Sequence, residues 1–182
     1  MIKIRRGVFE TNSSSSHSIS IRRENTVLDS ASIAERGEDE YGYVSPTGRM
    51  YFYNSDLSFG RSPFEVLTTF YDKLRFVIAS LASDPDLREE IEAVMYEVIP
   101  GLRTIEYPLE YTGRGAMRTT NYGNIDHESC GLLKQFLDKK NITIRDFLLN
   151  TKYVVWIDGD EYNVKGVLID SGIVHKEDFE LL

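Results

Sequence analysis

The stretch SPFEVLTTFYDKLRFVIASL, residues 62–81, carries the strongest helical pattern in the chain. Apolar side chains recur in it at intervals of three and four residues, as on the buried face of an amphipathic helix. These apolar positions are Phe64, Leu67, Phe70, Tyr71, Leu74, Val77, Ile78 and Leu81. Residues 62–65 add a cap residue, a first-turn proline and an acid, which favour a helix start. The pattern predicts the main core helix over residues 64–81, with Leu74 directed inward and Lys73 at the surface.

Three further helices are predicted downstream of this segment. An Asp-Pro pair at residues 84–85 begins an amphipathic stretch, which the Pro-Gly pair at residues 100–101 ends. Asp126 can cap the next helix, and Asn141 would close it. Residues 143–146, Thr-Ile-Arg-Asp, repeat the capping pattern for a short helix. The inward side chains of the first two of these helices are Leu87, Ile91, Val94, Met95 and Val98, then Leu132, Leu133, Phe136 and Leu137.

Strand-like segments lie on either side of the helices. Residues 2–9 and 18–22 alternate in side-chain character, so they are predicted to form an N-terminal hairpin. Residues 41–53 have the pattern of a second hairpin, with a Pro-Thr-Gly turn and alternating tyrosines whose face is either core or a contact platform. Residues 153–157 are the most strand-like run. Helices grouped between β-rich ends predict an α+β fold rather than an alternating α/β fold.

The sequence is expected to form a single domain over residues 1–182. A chain of 182 residues with 41% hydrophobic side chains can bury a core without disulfides or metals. Residues 24–40 carry few apolar side chains among many charged ones. This segment is therefore expected to be a mobile loop or a short helix.

Composition argues against several classes of protein. The 21 basic and 29 acidic side chains give a net charge of −8, which disfavours broad binding to nucleic-acid phosphates. The single cysteine, Cys130, excludes an internal disulfide and a cysteine-based zinc cluster. The first residues lack an apolar signal core, and no apolar run is long enough to span a bilayer. We therefore expect a cytoplasmic protein that does not bind membranes.

A hydroxyl-rich segment at residues 11–18 is the most chemically distinctive part of the sequence. Its short side chains let backbone N–H groups converge on an anion, and the hydroxyls add donors. The predicted ligand-binding residues are Thr11, Asn12, Ser13, Ser14, Ser15, Ser16 and Ser18, with His17 as a candidate acid or base. Arg6 and Arg22, on the flanking strands, could add bidentate contacts to a phosphate. The alternatives are a solvated serine turn and a charged strand edge that prevents aggregation.

A second polar cluster lies at residues 124–129, where carboxylates flank an imidazole at a predicted helix start. His127 could act as a general acid or base, or bind a divalent metal together with Asp126, whereas capping by Asp126 alone is the alternative. No cofactor is predicted, because no P-loop, dinucleotide-binding, nucleophile-elbow or zinc-helix motif occurs, and a metal requirement stays open. We expect His17 and His127 to share one pocket, because an anion-binding loop and a helix start complement each other.

Residues 5–18, RRGVFETNSSSSHS, resemble the N-termini of a family of uncharacterised proteins from bacteriophages and Firmicutes. Residues 125–129, IDHES, the following Leu-Leu-x-x-Phe-Leu helix and the strand at Tyr153 are also similar to that family. The resemblance implies a phage-type accessory protein with a role in host takeover or counter-defence, and hence a place in the host cytoplasm. It implies no reaction and assigns no catalytic residue.

Three functional hypotheses follow from these observations. The leading one is an accessory protein that binds a phosphate-bearing small molecule or a host protein, with the serine segment as its ligand contact. The second is an enzyme acting on a phosphate ester or nucleotide, with His17 and His127 as acid, base or metal ligands. The third is a protein-binding inhibitor, for which the charge of −8 and the tyrosine hairpin matter more than either histidine. The sequence leaves the choice between binding protein and enzyme open.

Overall fold

The computed structural model describes residues 18–21, 26–60, 65–112, 117–125, 132–157, 170 and 179–180. Its main α-helices are α1 (Ser30–Arg36), α2 (Glu38–Tyr41), α3 (Phe70–Ser80), α4 (Arg88–Val98), α5 (Leu132–Lys140) and α6 (Ile144–Leu149). Its β-strands are β1 (Ser18–Ile21), β2 (Arg49–Tyr51), β3 (Ser58–Phe59), β4 (Glu65–Leu67), β5 (Thr104–Glu106), β6 (Leu109–Thr112), β7 (Met117–Thr120), β8 (Asn124–Ile125), β9 (Tyr153–Ile157) and β10 (Phe179–Glu180). Helices combined with small sheets confirm the α+β class.

The largest sheet of the described residues has four antiparallel strands in the order β10-β1-β9-β4. Strand β9 confirms the strand predicted at residues 153–157, and all five of its residues are buried, as in a strand covered on both faces. The ring of Phe147 in α6 stacks on Tyr153 with 5.8 Å between centroids, which joins the helices to this sheet. Two parallel pairs, β2–β5 and β3–β8, and the antiparallel ribbon β6–β7 are separate from it.

The strand predicted at residues 18–22 is present as β1, but its neighbours differ from the prediction. It pairs with β9 along Ser18–Ile21 and with β10 at Ile19 and Ser20. A strand has two edges, so these two residues have no edge left for the hairpin partner predicted at residues 2–9. That partner segment lies outside the described residues. The β-rich ends of the chain therefore meet in one sheet, which a local hairpin pattern cannot reveal.

The core helix begins later than the sequence pattern predicts. Helix α3 starts at Phe70, and Thr69 caps it by accepting a hydrogen bond from the Asp72 N–H at 3.0 Å. Residues 65–67 form β4 and pair with β9, so Leu67 is buried in the sheet rather than on the helix. A local capping signal is worth about 1 kcal/mol, and strand pairing together with burial outweighs it here.

The predicted inward face of α3 is confirmed, but the prediction that Lys73 lies at the surface is wrong. The apolar residues of that face that the core buries are Phe70, Leu74, Val77, Ile78 and Leu81. Lys73 is only 1% exposed. It lies at helical spacing between Phe70 and Val77, so the turn of the helix carries it inside with them.

The described part of the segment at residues 24–40, which is 26–40, matches the short-helix alternative, because it contains α1 and most of α2. Of its apolar side chains, Val27 is 61% exposed, whereas Leu28 and Ile33 are buried in the core. Glu40 is buried with them, at 5% exposure. The segment therefore packs against the core through two apolar anchors and one carboxylate.

The remaining helices follow their predictions except at the start of α4. Residues Pro85–Leu87 form a short 3₁₀ helix, α4 begins at Arg88, and Leu87 is only partly buried. Helix α4 ends shortly before Gly101, which has a φ of +72°, and α5 ends directly before Asn141, which has a φ of +52°. Thr143 caps α6 by accepting a hydrogen bond from the Asp146 N–H at 3.1 Å. The buried apolar residues of α4 and α5 include Ile91, Val94, Met95, Val98, Leu133, Phe136 and Leu137. Asp126, the predicted cap of α5, lies outside the described residues.

Candidate functional site

The turn predicted at residues 46–48 is formed, and it joins two arms. The Ser45 N–H donates to the Arg49 carbonyl at 2.8 Å, and the Arg49 N–H donates to the Ser45 hydroxyl at 3.0 Å. Val44 and Met50 then form an antiparallel bridge. Only the second arm is a strand, β2, and it also pairs in parallel with β5. The predicted hairpin is therefore short, and its second arm is held by a partner from far along the chain.

One face of this hairpin is directed outward and carries tyrosines. The bridge at positions 44 and 50 places Tyr43 opposite Tyr51, and strand alternation puts Arg49 on the same face. Tyr43 is 57% exposed, Tyr51 37% and Tyr53 66%. Tyr53 follows Tyr51 by two residues and its backbone is still extended, with φ −104° and ψ 154°, so it continues the alternation. We name the side chains of Tyr43, Arg49, Tyr51 and Tyr53 the tyrosine face. Of the two sequence alternatives, these tyrosines match a contact platform rather than core.

An ion pair lies beside the exposed tyrosines. Arg49 Nη1 is 3.4 Å from Glu106 Oε1 across the β2–β5 pair. A hydrogen bond to Tyr51 is the main cause that raises the pKa of the Arg49 guanidinium, and the charge of Glu106 adds to it. Such a solvent-exposed pair contributes little to stability. Its significance is that the outer surface offers a cation, a carboxylate and phenols together.

The inner side of the hairpin is fixed in the core by a stack of rings. Met50 and Phe52 are both buried. The Phe52 ring stacks on Tyr71 and on Tyr107, with centroids 6.3 Å and 6.0 Å apart, and Tyr107 meets Tyr122 edge-on at 5.3 Å. Aromatic pairs contribute about 0.5–1.5 kcal/mol each beyond their burial. The tyrosine face therefore lies on a hairpin whose inner side is already fixed in the core.

Arg88 contacts the two rings at the other end of this stack, those of Tyr107 and Tyr122. Its Nε donates to Glu92 Oε1 at 2.6 Å, its Nη1 donates to the Tyr122 hydroxyl at 3.0 Å, and its guanidinium lies 5.4 Å from the centre of the Tyr107 ring. The Tyr107 hydroxyl donates to Glu92 Oε1 at 3.2 Å. Burial first, and the charge of Glu92 second, raise the pKa of Tyr107, so its phenol stays protonated. These groups satisfy one another's hydrogen-bonding capacity. We therefore assign the cluster a structural role, in which it holds the ring stack under the tyrosine face.

A buried amine, that of Lys73, ties α3 to the end of α6. Its Nζ donates to the Phe147 carbonyl at 2.9 Å and to the Asn150 carbonyl at 3.0 Å. The last carbonyls of a helix have no partner within the helix. Lys73 therefore satisfies the Phe147 carbonyl, and it shares the Asn150 carbonyl with the Tyr153 N–H, which donates to it at 3.3 Å. Nζ also lies 5.7 Å from the centre of the Phe147 ring, within the range of a cation–π contact. We name Lys73, Glu40 and residues 147–150 the α6 joint.

Glu40 is the carboxylate of the α6 joint. Its Oε1 accepts a hydrogen bond from the Phe70 N–H at 2.7 Å, and its Oε2 lies 3.4 Å from Arg36 Nη1. Burial lowers the pKa of Lys73 to about 7, against a smaller opposing effect of the Glu40 charge. Neither residue was predicted as a site residue. The helical spacing of Lys73 from Phe70 indicates a buried position. That indication conflicts with the surface position expected of a charged side chain.

The predicted ligand-binding and catalytic residues fall almost entirely outside the described residues. These are Arg6, Thr11, Asn12, Ser13, Ser14, Ser15, Ser16, His17, Arg22, Asp126 and His127. Ser18 is the exception, because it opens β1. The shared pocket of His17 and His127, and the metal-bound alternative, stay predictions.

In the part of the chain that the structure describes, no group of three or more His, Cys, Asp and Glu side chains is placed to hold a metal ion. Over the same residues, no helix combines the length and the apolar character that crossing a membrane requires. Comparisons of this chain with models of known families, with curated proteins and with solved structures give no match.

Proposed function

We propose that this chain is a phage-type accessory protein, acting in the host cytoplasm, that binds a host protein with a basic surface through the tyrosine face. The observation that carries the proposal is the joint exposure of Tyr43, Tyr51 and Tyr53 on the outer face of a hairpin whose inner side is buried. Clustered exposed aromatic side chains are typical of binding surfaces rather than of inert ones.

The residue types of the tyrosine face suit a protein interface. Tyrosine provides a large contact area at the cost of ordering only two side-chain torsions. Arg49 belongs to a residue type that, with tyrosine, dominates the binding energy of interfaces. Phe52 and its ring stack already fix the hairpin. Binding therefore requires little further ordering of the backbone, which keeps the entropy cost of binding small.

The charge of the chain favours a basic partner. Its 21 basic and 29 acidic residues leave a net charge of −8. Glu38 and Asp39 are exposed on α2, directly before the first arm of the hairpin. Opposite charge on the partner would speed and orient the encounter, whereas nucleic acid carries the same sign as this chain.

The test is capture from host-cell extract, followed by titration with the purified captured protein. The double substitution Tyr43→Ser with Tyr53→Ser should weaken that binding on the order of 1,000-fold, because anchor residues of an interface contribute about 2 kcal/mol or more each. Tyr96→Ser is the matched control, since Tyr96 is 45% exposed but lies on α4. Binding that survives the double substitution unchanged, or a captured protein with an acidic surface, contradicts the proposal.

Binding of a phosphate-bearing small molecule is a second candidate, favoured by the position of Ser18. The serine segment runs directly into β1, which is paired on both edges, so its last residue is fixed in the sheet. Titration with inorganic phosphate and with a mononucleotide should show binding that Ser15→Ala with Ser16→Ala weakens about tenfold or more, as expected for lost hydrogen bonds to a charged group. The substitution Tyr43→Ser leaves this binding unchanged. Recovery of product in place of the intact nucleotide would instead favour the enzyme hypothesis with His17 and His127.

A further inference from the structure

The α6 joint contains the amine of Lys73, which is buried away from water and hydrogen-bonded to backbone carbonyls. Lys73 is 1% exposed, and its Nζ serves two backbone carbonyls, at 2.9 Å and 3.0 Å. A neutral amine has two N–H groups and can serve both carbonyls. Protonation adds a third N–H and a full charge, which is costly to hold in an apolar surrounding. The joint therefore accepts either form of the amine, at different free energies.

We propose that the α6 joint is a pH-sensitive element of the fold, which opens more often as the pH falls through the alkaline range to neutral, because a charged Lys73 is then held away from water. Opening would hydrate the ammonium and release the end of α6 from α3. This property is separate from the tyrosine face and does not depend on the identity of a partner.

The charged and titratable groups around the joint come from several elements. Glu40 on α2 is the carboxylate whose charge acts on the amine, and Arg36 on α1 pairs with it at 3.4 Å. Beside Phe147, the Tyr153 ring of β9 lies under the Lys152 amine at 4.8 Å. On α3 itself, Asp72 and Arg75 pair with each other at 3.0 Å. The three histidines of the chain lie outside the described residues, so the test must separate their titration from that of Lys73.

The direction of the pH effect follows from the lowered pKa of Lys73. In the closed joint this pKa is about 7, against a reference value of 10.5 for a hydrated amine. Below about pH 7 the amine is charged in both states, and the full cost of burying it opposes closure. Between about 7 and 10.5 the closed joint has lost the proton while the open joint keeps it, so closure gains stability as the pH rises.

Backbone hydrogen bonds across the joint report its opening. The Leu28 N–H donates to the Leu149 carbonyl, and the Thr151 N–H donates to the Thr26 carbonyl, both at 2.9 Å. These amides become accessible when the end of α6 moves away. The Ile99 N–H, which donates to the Met95 carbonyl at 3.0 Å at the end of α4, is a reference outside the joint.

The experiment is native-state hydrogen exchange on the full chain, corrected for the intrinsic pH dependence of exchange. Protection of the Leu28 and Thr151 amides should rise about tenfold between pH 6 and pH 8, as expected for one linked proton with these pKa values. Protection of Ile99 should stay constant. In the Lys73→Met variant, the rise in protection of the Leu28 and Thr151 amides should disappear. Any part of that rise that comes from titration of the histidines would remain.

Two exchange results overturn the proposal. One is a rise in Lys73→Met as large as in the wild-type chain, and the other is an equal rise at Ile99, which would mean global rather than local opening. If the variant does not fold, an NMR titration of the Lys73 Nζ in the wild-type chain decides instead. A titration midpoint at or below about pH 8, within the range where protection rises, supports the proposal, and a midpoint above about pH 8, towards that of an ordinary lysine, overturns it.

Discussion

Replacing Gly123 with alanine should lower the free energy of unfolding by about 2–5 kcal/mol, measured by urea denaturation. The residue has a φ of +92°, where a side chain strains the backbone. An added Cβ would also fall well inside the contact distance of the Leu57 carbonyl oxygen and Cβ. Leu57 is fully buried and directly precedes β3, whose partner β8 begins just after Gly123. The methyl group would therefore push apart two strands that are held in register.

Gly101→Ala is the matched control for this substitution. Gly101 has a similar φ of +72°, but a Cβ there would have no atom within 4 Å. Its replacement should cost only the backbone strain, about 1–2 kcal/mol. The difference between the two variants isolates the close approach of Gly123 to Leu57. Equal losses would show that β3 and β8 are not packed against each other as described.

Local patterns in the sequence predict those elements whose boundaries are set locally. The periodicity over α4 and α5 places their buried faces correctly, and Thr143 caps α6 as its spacing from Asp146 predicts. The run at residues 153–157 is a strand because its β-branched and aromatic side chains suit a doubly covered position. In each of these segments, the local preference and the packing of the whole chain agree.

The start of α3 shows where local patterns fail. Residues 62–65 carry the signals of a helix start as clearly as Thr69 and Asp72 do, yet the helix begins at the second pair. The deciding interaction is the pairing of β4 with β9, whose residues lie far apart in the sequence. The prediction that Lys73 lies at the surface fails for a different reason. Its spacing places it inside, but the two carbonyls that make burial tolerable belong to α6 and cannot be inferred from α3.

The tyrosine face was predictable in part. Alternation places the tyrosines of the hairpin on a common side, and the turn at residues 46–48 fixes which ones meet. Alternation does not say which side is buried. That is decided by Met50 and Phe52, which enter the core, and by the parallel pairing of Arg49 with Thr104. Long-range parallel pairing leaves no local signature, because each strand alone has the pattern of any short strand.

Leu74→Ala should destabilise the fold by about 2–5 kcal/mol, through lost burial and the cavity left behind. Leu74 is fully buried in the middle of α3. Lys73 cannot serve as the surface control, because it is buried and its removal would take the Nζ donor away from the buried Phe147 carbonyl, whereas the Asn150 carbonyl would keep the Tyr153 N–H. Gln135→Ala is the better control, since Gln135 is exposed on α5 and has a helix propensity close to that of alanine.

The control should change the free energy of unfolding by no more than about 0.5 kcal/mol. The two denaturation midpoints must therefore separate widely, and the slopes of the transitions should stay equal if both variants unfold from the same native state. Coincident midpoints would mean that the apolar face of α3 contributes nothing to the fold. That face would then be free to contact a partner, and the tyrosine face would no longer be favoured as the main binding surface.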